Sequence, residues 1–242
     1  VAGLDVDECQ VWWARVEGDP DALAPLLDDA ERERWRGMRH GPSRAGYALA
    51  HATARAACAR LLDTDPATVR FTATCRHCGG PHGRPGVNAG DARRLWVSLS
   101  HSGDRAAVAV AWDTAIGVDL EAITLRGADL PLSALSGAER EQLAGLPPAD
   151  RLPAFIRYWT RKEAAVKATG DGLLVPPERI TMSPPDEPPE IRDWVDRPPP
   201  HAPIFLTDLE PGPGYRAALA TLGRPLRVAV RDAAPLLAGA VR

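Results

Sequence analysis

Two short stretches carry acidic side chains at spacings that could hold a cation and move a proton. In Ile116-Gly-Val-Asp119-Leu-Glu121 the carboxylates stand two residues apart. On an extended strand alternate side chains share a face, so Ile116, Val118 and Leu120 lie on one side and Gly117, Asp119 and Glu121 on the other. Two carboxylates so placed can share a hard, oxygen-seeking cation. The plainer alternative is a half-buried strand whose acidic face is merely solvated, the ordinary fate of Asp and Glu.

The second stretch is Trp159-Thr-Arg-Lys162-Glu163-Ala-Ala-Val-Lys167. Wound as a helix, it puts Leu152, Phe155, Trp159 and Val166 on one apolar stripe. Glu163 falls on the same stripe, with Lys167 beside it and Lys162 on the opposite flank. An exposed Glu163–Lys167 pair at i,i+4 would contribute only about 0.3–0.5 kcal/mol. That pair does not explain a carboxylate pointing where apolar groups point. Nor does it explain the lysines: Lys162 and Lys167 are the only two among 29 basic residues, the rest being arginine. A chain that uses arginine almost everywhere keeps lysine where a compact ammonium is needed. A buried acid with a metal partner explains both.

Elements that could position these residues are legible in outline. Gln10 to Val16 reads as a strand, and helical territory begins at Pro20. Glu31 to Leu62 reads as helices interrupted at Gly41-Pro42. Leu95 to Ser100 and Ala106 to Trp112 alternate around the turn residues Ser102-Gly103-Asp104, a hairpin signal. Ile116 to Glu121 is the next strand, and Ser136 to Glu139 is a capping-box pattern that opens a helix. A long helix follows to about Thr169, with Pro153 expected in its first turn and Gly170 past its end. Ser183 to Pro203 is crowded with proline and reads as a surface loop. Short strands are expected at Ile204–Leu209, Tyr215–Thr221 and Leu226–Val230. This order fits an α+β fold better than a doubly wound parallel sheet.

Composition narrows the function classes. The chain has 242 residues, 25% charged and 45% apolar, with a net charge of −3. That size fits one large domain or two small ones. The charge offers no general attraction to nucleic acid or to an anionic membrane, and no apolar run would span a bilayer. The opening VAGLDVDECQ has neither a basic nor an apolar leader segment, so a cytoplasmic protein is expected.

Gly117-Val-Asp119-Leu-Glu121 and Trp159-Thr-Arg-Lys162-Glu163-Ala-Ala-Val-Lys167 are joined by Gly83-Arg84-Pro85 and by Ser100-His101-Ser102. These four motifs together resemble the 4′-phosphopantetheinyl transferases. The length resembles their larger, surfactin-type class. That resemblance implies two similar α/β halves in one chain, residues 1–113 and 114–242, related by a pseudo-twofold axis with the active site in the cleft between them. It implies a monomer that moves the 4′-phosphopantetheine arm of coenzyme A to a serine of an apo acyl or peptidyl carrier protein, releasing 3′,5′-ADP. The carrier would belong to a peptide synthetase or polyketide synthase.

The same resemblance implies the site residues. Asp119, Glu121 and Glu163 would hold Mg²⁺ against the diphosphate, and an all-carboxylate set suits that cation rather than zinc. Glu163 would be the general base for the serine hydroxyl, and Lys162 and Lys167 would bind phosphate. Arg34, Gly83, Arg84, Pro85, Ser100 and His101 would contact the adenine and 3′-phosphate side of coenzyme A. The apolar Leu125, Leu130 and Leu132 would meet the carrier, or simply pack on their own domain.

Other readings have weaker support. Cys75 and Cys78 with His77 and His82 suggest zinc, but a structural site needs a second ligand pair that Cys9 and Cys58 do not supply, so a tight turn with reduced thiols is favoured. Another nucleotide enzyme such as a kinase would show a phosphate-binding glycine loop, which is missing here. A nucleic-acid module would show a basic stripe with aromatics, against which the net charge speaks.

Overall fold

The structure is a computed structural model that describes residues 3–74, 78–80, 83–89, 93–124, 129–195 and 202–240. In chain order its elements are β1 (Glu8–Arg15), α1 (Asp29–Gly37), α2 (Pro42–Leu62), β2 (Gly86–Asn88), β3 (Arg94–Ser102), β4 (Arg105–Trp112) and β5 (Ile116–Ala122). There follow α3 (Gly137–Gly145), α4 (Pro148–Thr169), β6 (Ile180–Met182), β7 (Ile191–Trp194), β8 (Ile204–Leu209), β9 (Tyr215–Leu222), β10 (Arg227–Asp232) and α5 (Ala234–Ala240). The fold is α+β, and the chain divides into two compact units, Val1–Ile116 with Leu226–Arg242, and Gly117–Pro225.

In the first unit five strands pair in the order β10-β1-β4-β3-β2. The β3–β4 hairpin sets His101 opposite Ala106, and its turn passes through Gly103 at φ 58. Alanine-rich α2 lies on this sheet because small side chains let a helix approach closely. Leu49, Ala50, Ala54 and Ala57 pack with Trp12, Leu95, Val97, Val108 and Val110. Residues 226–240, expected in the second half, belong here: β10 runs parallel to β1, and Ala233 is fully buried in the same core. The pattern of Leu226–Val230 announces a strand, but which sheet edge it joins is a long-range matter.

A buried ionic knot ties α1 to α2. Asp28 and Glu31 form a reciprocal capping box at the start of α1. The fully buried Arg55 donates to Asp28, to Glu31 at 2.6 Å and to the carbonyl of Val69 at 2.9 Å. Burial alone would raise the Glu31 pKa, yet hydrogen bonds from His51 and Arg55 outweigh it and hold the group at about 2.

In the second unit three strands pair in the order β5-β9-β8, and β6 pairs with β7. The small face of α4, Ala164 and Ala168, meets Ala218 and Ala220 of β9. Its apolar stripe builds a separate core in which Phe155, Tyr158 and Val166 meet Leu135, Leu143, Ile180 and Met182. Pro153 is the sixth residue of α4 and so lies in its second turn, not its first. Gly170 ends the helix at φ 77, its N–H donating to the Val166 carbonyl. The stretch from Ser183 to Pro203 is not all loop: β7 is antiparallel to β6, with Ile180 opposite Trp194. Prolines flank this strand without interrupting it, so its backbone groups stay available for pairing. No helix among the described residues is long and apolar enough to cross a membrane.

Candidate active site

The site begins with how closely β5 and α4 approach. A methyl group on Gly117 would lie 2.5 Å from the Ala168 nitrogen and 2.8 Å from the Lys167 Cβ, so only glycine fits under the helix. The acidic face of β5 is therefore covered, which excludes the solvated-strand alternative. Gly117 lies under Ala164 and Ala168. Asp119 meets Lys167, whose Cβ lies over Gly117 and whose Nζ donates to Asp119 Oδ1 at 2.7 Å and to the Val118 carbonyl at 3.0 Å.

Asp119 is only 4% exposed. Glu163 is half-buried, and its pKa is raised by burial and then by the charges of Asp119 and Glu121, against the lowering effect of Lys167. Glu163 thus feels both carboxylates of β5. Among the described residues, no three such side chains already close around one metal position. The donor set nevertheless fits a hard cation, since it is all oxygen and its mutual repulsion is what a cation relieves.

Beside these carboxylates lies a cavity of about 570 Å³, with Glu121 at its edge and Leu130, Leu152, Phe155, Ile156 and Trp159 among its walls. Leu132 is 44% exposed, whereas Leu130 packs partly against the core of its own unit. Leu125 lies outside the described residues.

Lys162 requires a correction. Its ammonium is 1% exposed and makes three hydrogen bonds inside the unit: to Glu139 Oε2 at 2.5 Å, and to the carbonyls of Ala134 and Pro177 at 3.0 Å each. An ammonium has three protons, so none remains for phosphate. Burial lowers its pKa and the fully buried Glu139 opposes that shift. A compact ammonium is indeed needed here, but by an enclosed nest of three oxygens.

The first unit holds the remaining candidates. His101 packs against Gly46 of α2, where an added methyl would lie 2.7 Å from its Nδ1. The next residue of α2, Tyr47, carries the Arg34 guanidinium 5.8 Å from its ring centroid. Ser100 is buried on β3. The Gly83-Arg84-Pro85 turn is pinned by the Gly83 N–H donating to the Ala73 carbonyl and the Val97 N–H donating to that of Pro85. Arg84 stacks on Trp96 at 4.6 Å. Cys75, His77 and His82 lie outside the described residues. Cys9 and Cys58 are buried, their thiols pushed up to about 12 by burial, so neither offers a thiolate.

The family model of the 4′-phosphopantetheinyl transferase superfamily matches residues 115–220, which contain the whole carboxylate and lysine cluster. HetI, a 4′-phosphopantetheinyl transferase of Nostoc sp., is 30% identical over 224 residues, covering 90% of this chain and 89% of its own. This chain belongs to the 4′-phosphopantetheinyl transferase family. The Synechocystis sp. protein slr0495 is 30% identical over 150 residues, 61% of this chain and 58% of its own length. AcpT, a 4′-phosphopantetheinyl transferase of Salmonella typhimurium, is 39% identical over 93 residues, 38% of this chain. The chain spans 58% and 47% of the length of these last two relatives.

Two buried residues, Arg161 within the helix motif and Glu139 on α3, have roles that local sequence does not reveal. Arg161 is fully buried and clamps Asp208 at 2.9 and 2.7 Å. Glu139 accepts from Lys162, from the Ser136 N–H and from the Met182 N–H. The capping box was visible, but nothing local says that its glutamate also neutralises a distant lysine.

Proposed function

We propose that this chain transfers the 4′-phosphopantetheine arm of coenzyme A to a serine hydroxyl of an apo carrier protein, releasing 3′,5′-ADP. The observation that carries this reading is that Glu163 on α4 feels the charges of Asp119 and Glu121 on β5, with Lys167 of the same helix held to Asp119. Attack by a serine on a diphosphate needs little covalent chemistry from the protein; it needs charge compensation and alignment. Asp119, Glu121 and Glu163 would hold Mg²⁺, which when bound neutralises the diphosphate charge.

Glu163 receives the serine proton, directly or through a water. Its pKa, raised by burial and by the neighbouring carboxylates, makes it a better proton acceptor than an ordinary carboxylate. Lys167 brings a fixed positive charge to the same place, its ammonium also donating to the Val118 carbonyl. Ser100, His101, Arg34 and the Gly83–Pro85 turn serve the nucleotide end. A monomer acting in the cytoplasm on a peptide-synthetase or polyketide-synthase carrier completes the proposal.

The test incubates the protein with coenzyme A, Mg²⁺ and a panel of apo carriers and weighs the carriers by mass spectrometry. The wild type should add one phosphopantetheine mass to the carrier serine. Asp119→Asn and Glu163→Gln should lose at least a hundredfold in rate with unchanged circular dichroism. No mass gain on any carrier, or variants as active as the wild type, would overturn the reading.

A further inference from the structure

The cavity beside Glu121 and the buried Lys162–Glu139 pair share two backbone groups. Ala134 and Pro177 both line the cavity, and their carbonyls are the two that Lys162 holds at 3.0 Å. Ala134 ends the short turn Leu132–Ala134, and Pro177 begins the turn Pro177–Arg179. Glu139 extends the brace to the Ser136 N–H at the start of α3 and to the Met182 N–H on β6, both at 2.8 Å. Two stretches of chain, Leu132 to Glu139 and Pro177 to Met182, are therefore fastened to α4 at the residue before Glu163. Neither Lys162 nor Glu139 lines the cavity itself.

Burying two ions costs several kcal/mol each in desolvation, and an apolar pair of similar volume is often no less stable. Stability alone is a weak reason for this pair. Geometry is a better one, because an ammonium with three fixed acceptors sets the separation of the two turns, which no apolar contact would do as strictly. The cavity's size falls within the range of about 300–1,000 Å³ common for small-ligand sites. Its walls are mainly apolar, so they suit an uncharged chain attached to a phosphate near Glu121, not a nucleotide.

We propose that Lys162 and Glu139 are positioning residues that hold the Ala134 and Pro177 walls at the spacing needed to accept the uncharged pantetheine arm of coenzyme A. This rests on the transferase reading above.

The test compares two ligands that differ by the arm: coenzyme A, and 3′,5′-ADP, which lacks it. Lys162→Met alone would strand a buried carboxylate and is expected to fold poorly. The variant used is the double Lys162→Met/Glu139→Gln, which removes both charges at nearly constant volume. It should melt within a few degrees of the wild type and bind 3′,5′-ADP with unchanged affinity by calorimetry. Its coenzyme A affinity should fall tenfold or more, and transfer should suffer in KM for coenzyme A more than in kcat. Equal losses for both ligands, or no loss for either, would overturn the inference. Should that variant unfold, Lys162→Gln/Glu139→Gln, which keeps a neutral amide contact, carries the same comparison. If neither double variant folds, the pair is a stability element and the positioning role falls. A wild type that binds neither ligand would instead sink the transferase reading itself.

Discussion

Replacing Gly117 by alanine tests the closeness of β5 and α4 on which the site depends. The added methyl would lie 2.5 Å from the Ala168 nitrogen and 2.8 Å from the Lys167 Cβ, with the Ala164 carbonyl also in its way. Ordinary contacts to carbon lie at about 3.5–4.0 Å, so the helix must retreat by about 1 Å. Two of the three obstacles are backbone, so no side-chain rotation relieves them. Overpacking of this kind costs about 1–3 kcal/mol, and the rigid surroundings favour the upper end. The same retreat stretches the 2.7 Å contact of Lys167 with Asp119 beyond hydrogen-bonding range. It also carries Glu163 away from Asp119 and Glu121, and a misplacement of about 1 Å can cost roughly a hundredfold in rate. Gly145→Ala is the control, because a methyl there meets nothing within 4 Å. Urea unfolding of both variants gives the stability change, and the carrier mass assay gives the rate. A Gly117→Ala protein with wild-type midpoint and wild-type turnover would refute the argument.

The buried knot around Arg55 gives a pH prediction. Glu31 is depressed from 4.5 to about 2, so its stabilisation is complete above the unfolded value and is lost as pH falls through the folded one. It corresponds to about 3 kcal/mol at neutral pH. Glu31→Gln should therefore lower stability at pH 7, and its deficit against the wild type should shrink below about pH 5 and vanish near pH 2; a constant deficit in acid titrations of the unfolding free energy would contradict this. The exposed Leu132 is a cleaner probe of carrier docking than Leu130, which packs partly in the core. Leu132→Asp should raise the carrier KM by roughly five- to thirtyfold, about 1–2 kcal/mol, with KM for coenzyme A unchanged; equal changes in both, or a lowered melting point, would assign Leu132 to packing.

How much of this was legible in the residues follows the range of the interaction. The alternation in Ile116–Glu121 placed Asp119 and Glu121 on one face, and the helical stripe placed Glu163 and Lys167 together on a flank away from Lys162. Both are local periodicities, set by the strand's repeat of two and the helix's repeat of 3.6, and the structure keeps them. The capping box at Ser136–Glu139 is equally local and is present. Arg34 is marked only by the family resemblance, and its contact with Tyr47 depends on how α1 lies on α2.

What tertiary structure decided were the partners. Glu139 stands 23 residues from the lysine it neutralises, and Asp208 stands 47 from Arg161. No periodicity encodes such pairings, and an arginine or lysine on a helix reads the same whether it faces water or a buried acid. The parallel pairing of β10 with β1 and the requirement for glycine at Gly117 are of the same kind. The sequence alone marked which residue types could hold a cation and move a proton. Only the packing of α4 on β5 decided that Lys167 would reach Asp119 while Lys162 turned inward, because the direction in which a charged side chain finds its counter-charge is a property of the assembled chain.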